Sequence, residues 1–556
     1  MPALTVLAMI GPVAAGLLGA LGPAFGWLPA IGADRPGLSA FHDLFAWPGF
    51  SDAARLSVVT GLVSTFLSLG LVTLVLASLH GTRAFEAVRR LLSPLLAVPH
   101  AAAAFGIAFL IAPSGWIARA FSPWATGWER PPDLLIVQDP MGLALIAGLV
   151  AKEAPFLLLM SLAALSQIRP EREILAARSL GYGREAAWIK VVLPRLYVQI
   201  RLPVYVVLAY SMSVVDVAMI LGPNTPSTLS VQVVRWMGDP DLALRLRAAA
   251  GALVQAGLVI GALGLWRLGE NAVRGIGLRW IARGGRGRSL RALRPVALGA
   301  GLVSGSAVLL GILGLAIWSV AALWSFPDLL PDAMTWRNWE RHGPGLAEPA
   351  LRTLGIAAAA TLIALVLTIG CLEAEHRHGL RLGSRGVWVL YMPLLIPQVA
   401  FLPGLQTLMV ASGLTGGLVA VIAAHVVFVL PYVFLSLGDP FRAWDPRLAT
   451  SAAALGARPD RVLWSVRMPM LLAPVLTAVA VGFAVSVGQY LPTLLAGGGR
   501  VATLTTEAVA LAAGGDRRAI GVYGLAQTAT AMVPFLAALL IPRVVWAQRR
   551  GLRDGA

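Results

Sequence analysis

Few side chains in this chain of 556 residues could do chemistry, and several of them stand in apolar surroundings. Lys152 and Glu153 are adjacent, just before Pro155, inside the apolar run from Met141 to Leu165. Ser211, Ser213 and Asp216 fall in the run that ends at Leu221, and Gln489 lies in a later run near the position equivalent to Asp216. Charge in hydrocarbon is costly, so such groups face either a pathway or a partner helix. Both readings stay open for Lys152 and Glu153, which could equally lock helix packing. Glu373, Glu375, His376 and His378 carry metal-ligating chemistry, but at a helix end they read as solvated charges. No Gly-x-x-x-x-Gly-Lys-Ser/Thr phosphate cradle occurs, nor any Gly-Lys pair, nor His-Glu-x-x-His. Serines, histidines and aspartates are scattered without a nucleophile motif. The chain is therefore assigned no catalytic residue, no metal site and no cofactor, and any ATP it depends on is bound elsewhere.

The elements that position these groups are long apolar runs. Hydrophobic residues make up 58% of the chain and charged ones 13%, about half the usual charged share of a soluble domain. Runs of about 20 apolar residues, enough to cross a bilayer as a helix, recur throughout. They fall near 4–27, 57–79, 91–112, 141–165, 200–221 and 248–267, then 296–324, 353–372, 388–411, 415–437, 470–495 and 520–542. No Lys or Arg precedes Arg35, so Leu4 to Trp27 reads as a retained first span rather than a signal peptide. The one cysteine, Cys371, excludes an internal disulfide and a Cys-rich metal site.

Two charged stretches between runs have the same construction. Pro170 to Pro194 begins with a proline and two acids, which suit a helix start. It has small residues at Ala176-Ala177, breaks at Gly181-Tyr182-Gly183, and resumes with Ala187, Trp188, Val191 and Val192 on one helical face. Asp445 to Pro469 opens with an N-cap aspartate and a first-turn proline, and it turns at Gly456. Each glycine precedes its closing proline, Pro194 or Pro469, by the same interval, and the glycines lie close to half the chain apart. The repeat extends further: Pro94-Leu95-Leu96 with Pro99 and Gly106 matches Pro393-Leu394-Leu395 with Pro397 and Gly404. Pro155 answers Pro431, and Thr228-Leu229 answers Thr503-Leu504. The stretch from Pro99 to Gly181 is longer than that from Pro397 to Gly456, and the excess is placed in the Trp- and Pro-rich loop Pro113 to Pro140.

A loop that recurs in this way resembles the EAA loop of ABC-importer permeases, roughly Glu-Ala-Ala-x-x-x-Gly followed by Ile-x-Leu-Pro. The first copy has Leu175-Ala176-Ala177 at the Glu-Ala-Ala positions, the second Thr450-Ser451-Ala452, and Met468 replaces the leucine before the proline. The resemblance covers the whole chain as two fused permease domains, a form found among importers of the iron(III), thiamine and polyamine type. It implies an all-α polytopic membrane protein of about twelve transmembrane helices in two tandem six-helix permease repeats. The first domain would be 1–267 with a coupling loop at 168–197, followed by an Arg-rich linker at 268–294. The second would be 295–556, with a coupling loop at 438–469. The implied partners are two ABC ATPase subunits, one per coupling loop, and an extracytoplasmic solute-binding protein. The implied ATPase-coupling residues are Ala176, Ala177, Arg178, Gly181, Arg184 and Pro194, with Ala452, Gly456, Arg458, Arg461 and Pro469. Helices flanking these loops make Lys152, Glu153, Asp216 and Gln489 candidates for a translocation path. The alternative is a twelve-span secondary transporter, which would need coupling-ion residues at midplane and no paired docking helices.

Net charge of +17 could suggest nucleic acid, but the basic residues concentrate in alternate loops. Windows 79–91, 168–197, 267–294, 373–386, 438–469 and 541–556 hold 29 Lys/Arg, and the opposite loops hold 12. The positive-inside rule puts both repeated loops and both termini in the cytoplasm of a bacterial inner membrane. The eight arginines from Arg267 to Arg294 fit contact with anionic membrane lipid better than nucleic acid. Reporter fusions at Gly183, Gly285 and Arg458 should all report the cytoplasm. An extracytoplasmic signal from any one of them would overturn this topology.

Overall fold

The computed structural model describes residues 1–83, 85–86, 89, 95–168, 170–286, 293–380, 383–413 and 416–546. Pro94, Gly287 and Arg288 lie outside the described residues. Among those described, ten helices are long and apolar enough to cross a bilayer, or twelve when each of two bent pairs counts as one span. In chain order we label the spans α1 (Pro2–Ala24), α2 (Phe50–Leu79), α3 (His100–Ile111), α4 (Leu143–Ile168), α5 (Leu193–Ser213) and α6 (Leu244–Ala282). The second half supplies α7 (Leu293–Val320), α8 (Arg337–Arg377), α9 (Gln398–Ala411), α10 (Leu418–Arg442), α11 (Leu472–Val487) and α12 (Arg517–Val545). Every expected run has its helix.

Several boundaries differ from the sequence expectation: α8 begins at Arg337 rather than 353, and α11 stops at Val487 rather than 495. The fifth span does not reach Leu221: α5 stops at Ser213, and a short helix, Asp216–Leu221, starts after a break at Val214-Val215. The linker is not loose from residue 268, because α6 stays helical to Ala282. Glu270 on that extension accepts from Tyr197 (2.6 Å) and Tyr205 (3.0 Å) and pairs with Arg201 at 3.2 Å, which holds it against α5.

The halves are crossed over one another at glycines. α1 packs most extensively on α9 of the other half, and α7 in turn on α3. A Cβ on Gly404 would lie 2.0 Å from the carbonyl oxygen of Gly16, and one on Gly106 would lie 2.6 Å from the carbonyl carbon of Gly311. The largest buried apolar cluster accordingly joins both halves, including Leu145, Val215 and Phe105 with Phe401, Val427 and Leu491. On α2, the buried Ser57, Thr60 and Thr65 bond back to carbonyls of their own helix. Gly404→Val should cost about 1–3 kcal/mol of stability by overpacking. Thermal melting of the purified protein in detergent measures it, with Gly355→Val, which meets nothing within 4 Å, as control. Equal melting of the two variants would discount the crossed contact.

Candidate functional site

Both repeated loops fold into the same object. In the first, helix Pro170–Ser179 ends at Gly181, whose φ is +86°. Gly181 N donates to Arg178 O (2.9 Å) and Tyr182 N to Ala177 O (3.2 Å), the paired bonds of a Schellman ending. In the second, helix Pro446–Ala454 ends at Gly456 with φ +82°. There Gly456 N donates to Ala453 O (2.9 Å) and Ala457 N to Ala452 O (3.0 Å). Asp445 caps the second helix by accepting from Arg447 N at 2.9 Å. After each turn comes one short helix, Arg184–Ala187 or Pro459–Val462, then a π-helical turn, Trp188–Val192 or Leu463–Arg467. The two π turns are offset by the same interval as the two glycines. Pro194 and Pro469 each stand at the second helical position after the π turn.

The outward face of both loops carries large apolar side chains, left bare among exposed arginines. Leu180 is 67% exposed, Leu455 89% and Trp464 63%. Ala176, Arg178, Arg458 and Arg461 are exposed as well, and Ala452 is half-buried. Two of the expected coupling residues are not on that face. Ala177 is buried against the body of the protein. Arg184 is spent elsewhere: its guanidinium donates to the His80 carbonyl. Burial, with Arg184 adding to it against Glu171, holds the His80 imidazole below its ordinary value.

The braces behind the loops differ. Lys190 Nζ in the first π turn donates to Gly285 O (2.7 Å) and Trp280 O (3.3 Å), and it sits 4.4 Å from the Trp280 ring centroid and 5.1 Å from that of Tyr182. Gly183 N also donates to Arg286 O at 2.9 Å. The first loop is thus strapped to the segment that joins the two halves. Arg467 in the second π turn is 2% exposed, bonds Glu373 at 2.7 Å, and lies over Trp444 at 4.3 Å and Phe441 at 4.8 Å. Glu373 also accepts from Arg377 (2.8 Å), which reaches Asp460 (2.6 Å), while Glu375 holds Arg442 at 2.9 Å. Glu373 and Glu375 are therefore not solvated charges but structural acids of a clamp. Among the described residues no group of three His, Cys, Asp or Glu could hold a metal ion. Sequence reasoning missed Lys190, Arg467 and Arg377 as braces. The basic residue in each π turn was the only local signal.

The intramembrane residues divide. Lys152 is buried with Nζ on Leu95 O (3.0 Å) and Val98 O (2.7 Å), carbonyls left free where the helix breaks before Pro99. Glu153 is 5% exposed, and its Oε1 has no hydrogen bond, although His100 Nε2 stands 3.4 Å away. Asp216 opens the short helix after the α5 break, and Gln489 sits in the matching break after α11, its Oε1 buried without a partner. Lys152 fits the packing reading, whereas Glu153 and Gln489 retain unused acceptors. Replacing Arg467 by Met removes one member of a buried pair, a loss of about 3–5 kcal/mol. Tryptic cleavage after Arg461 should then accelerate while the spans stay intact. An unchanged cleavage rate would show that the clamp does not hold the loop.

No protein-family model and no solved structure matches the chain. It is 31% identical over 525 residues to the inner membrane ABC transporter permease protein YnjC of Escherichia coli (strain K12), covering 93% of this chain and 94% of the relative. Shorter matches include the putrescine transport system permease protein PotI of the same organism, 25% identical over 236 residues, 39% of this chain and 82% of the relative. Another is the molybdenum transport system permease protein ModB of Mycobacterium tuberculosis (strain ATCC 25618 / H37Rv), 28% identical over 183 residues, 29% of this chain and 68% of the relative. With near end-to-end similarity to one permease and two sets of spans in its own fold, the chain belongs to the permease components of ABC transport systems.

Proposed function

We propose that the two repeated loops are docking sites for two copies of an ATPase subunit, one per loop, in an importer fed by an extracytoplasmic solute-binding protein. The spans form the path for a small solute, and ATP is hydrolysed on the separate subunit. Residues 1–267 and 295–556 act as the two permease domains, with both termini and both loops on the cytoplasmic side of the inner membrane and the arginines of the linker against lipid. The secondary-transporter alternative falls with the family membership.

The observation that carries this reading is the pair of identical turns. Two stretches half a chain apart share a Schellman ending, a short helix and a π turn. They leave Leu180 bare in one copy and Leu455 with Trp464 bare in the other. Unpartnered apolar side chains on a rigidly braced turn suit a protein cleft. Ala176 and Ala452 keep that surface low, Ala177 lets the first helix lie close to the protein, and Arg178, Arg458 and Arg461 rim the face. ATP-driven closure of the ATPase pair would move the loops together and turn the halves about the crossed glycine contacts. Glu153, Asp216 and Gln489 line the path, with Lys152 fixing its wall.

Left-handed backbone costs a side chain with a Cβ about 1–2 kcal/mol. A Cβ on Gly456 would meet nothing within 4 Å, so Gly456→Val tests backbone strain alone, whereas one on Gly181 would also press on the Arg286 guanidinium at 3.3 Å. The Gly181→Val, Gly456→Val double variant should reach the membrane yet lose both co-purification with the ATPase and ATP-driven uptake. Normal uptake by that variant would refute the docking assignment.

A further inference from the structure

Two carboxylates of the first half lie within electrostatic reach of phenols from both halves. Glu153 on α4 and Asp216 after α5 are 5% and 7% exposed. His100, at the start of α3, serves both: its Nε2 is 3.4 Å from Glu153, and it lies within electrostatic reach of Asp216. The Tyr210 ring is 5.0 Å from the His100 ring, and Tyr210 lies within electrostatic reach of Asp216, Glu153 and Tyr432. Across the boundary between halves, Tyr432 on α10 lies within reach of Glu153, and Tyr490, in the break after α11, within reach of Asp216. Each of these tyrosines keeps part of its surface open.

Three features separate this cluster from ordinary packing. Glu153 Oε1 is buried, accepts no hydrogen bond and has His100 Nε2 3.4 Å away, so it retains capacity to accept from a donor. The one ammonium nearby, on Lys152, is turned onto the carbonyls of Leu95 and Val98, which leaves the His100 imidazole to face the two carboxylates. Finally, the cluster breaks the internal repeat. By the spacing of Pro155 and Pro431, and of the two π turns, Glu153 and Asp216 correspond to Val429 and Leu491. Tyr432 and Tyr490 likewise correspond to Phe156 and Val215. The repeated architecture therefore does not dictate these groups, since the equivalent positions of the other half carry apolar residues.

We propose that the solute carried by this permease is an organic cation, received by Glu153 and Asp216 of the first half and faced by Tyr210, Tyr432 and Tyr490. A carboxylate gives a desolvated ammonium its counter-charge, and aromatic rings attract it through their faces. An anionic solute would be repelled by both acids. A bare metal ion is a poor fit, because no group of three His, Cys, Asp or Glu among the described residues could hold one. This rests on the importer reading and names the substrate class of that same path.

The test uses the complex purified through this chain with its ATPase and binding protein, in proteoliposomes. Small molecules extracted from culture medium are split into fractions retained by a cation exchanger, retained by an anion exchanger, or passing through both. ATPase stimulation by the cation-retained fraction is the expected result, with about a tenfold higher concentration needed by Asp216→Asn or Glu153→Gln and partial recovery in Glu153→Asp. Stimulation carried by the anion-retained or unretained fraction overturns the proposal, and that arm depends on no variant folding. Cation stimulation unaltered in folded Asp216→Asn and Glu153→Gln complexes overturns the placement of the site. Failure of every fraction to stimulate the unmodified complex would sink the importer reading itself rather than the charge of its cargo.

Discussion

In hydrocarbon there is no water to satisfy a backbone group, so every interruption of a helix must be met from within the protein. The breaks in this fold obey that constraint, and much of the architecture follows from how they do. Lys152 serves the carbonyls before Pro99. At the α5 break, Gln255 of α6 donates to Met212 O at 2.8 Å. At the equivalent break after α11, Gln527 of α12 donates to Thr505 Oγ1 at 2.6 Å, and Thr505 in turn bonds Val487 O. Met212 and Val487 are separated by the same interval as the turn glycines. The same carbonyl is therefore served in both halves by a glutamine of the last span, directly once and through a hydroxyl once. The helices that begin beyond these breaks are held the same way: Leu229 N donates to Ser57 Oγ (3.0 Å) and Leu504 N to Thr353 Oγ1 (2.9 Å). Broken spans expose backbone that can line a path, and these long-range bonds make the breaks tolerable.

Local punctuation was therefore legible and distant compensation was not. Gly181 and Gly456 announce left-handed turns because few other residues enter that region cheaply. Pro99 and Pro397 mark helix starts because a fixed φ and a missing N–H suit the entry to a helix. Gly106 and Gly404 stand out by spacing alone, and the close crossing at each gives the reason. The break at Val214-Val215 carries no such mark. Two β-branched residues in an apolar run read as continuous helix, and what steadies the interruption is a side chain on α6 that the local pattern does not contain. Glu373 and Glu375 were visible as unusual acids, but their meaning lay in Arg467 and Arg442, far along the chain. The continuation of α6 to Ala282 was hidden by its arginines, which read as linker until Glu270 is seen paired with α5.

Duplication explains which parts agree. Of the groups that satisfy backbone, the glutamines, the hydroxyls and the turn glycines occur in both halves because each half breaks its helices in the same places, whereas Lys152 has Phe428 as its counterpart. Groups outside these breaks are free to diverge. The braces diverge: a lysine held by carbonyls and rings in one loop, an arginine held by an acid and rings in the other. The carboxylates and tyrosines diverge too.

The unequal braces have a mechanical consequence under the docking reading. A force on the second loop passes through Arg467 and Glu373 into α8, and through Trp444 toward the end of α10. A force on the first passes through Lys190 and Gly183 into Trp280, Gly285 and Arg286, the very segment that connects α6 to α7. Displacement of the first loop is therefore passed to the end of α6 and the residues just past it, whereas displacement of the second is passed to α8 and α10. Two loops of one shape thus load the membrane domain differently. One pulls on α8 and α10, and the other on the end of α6.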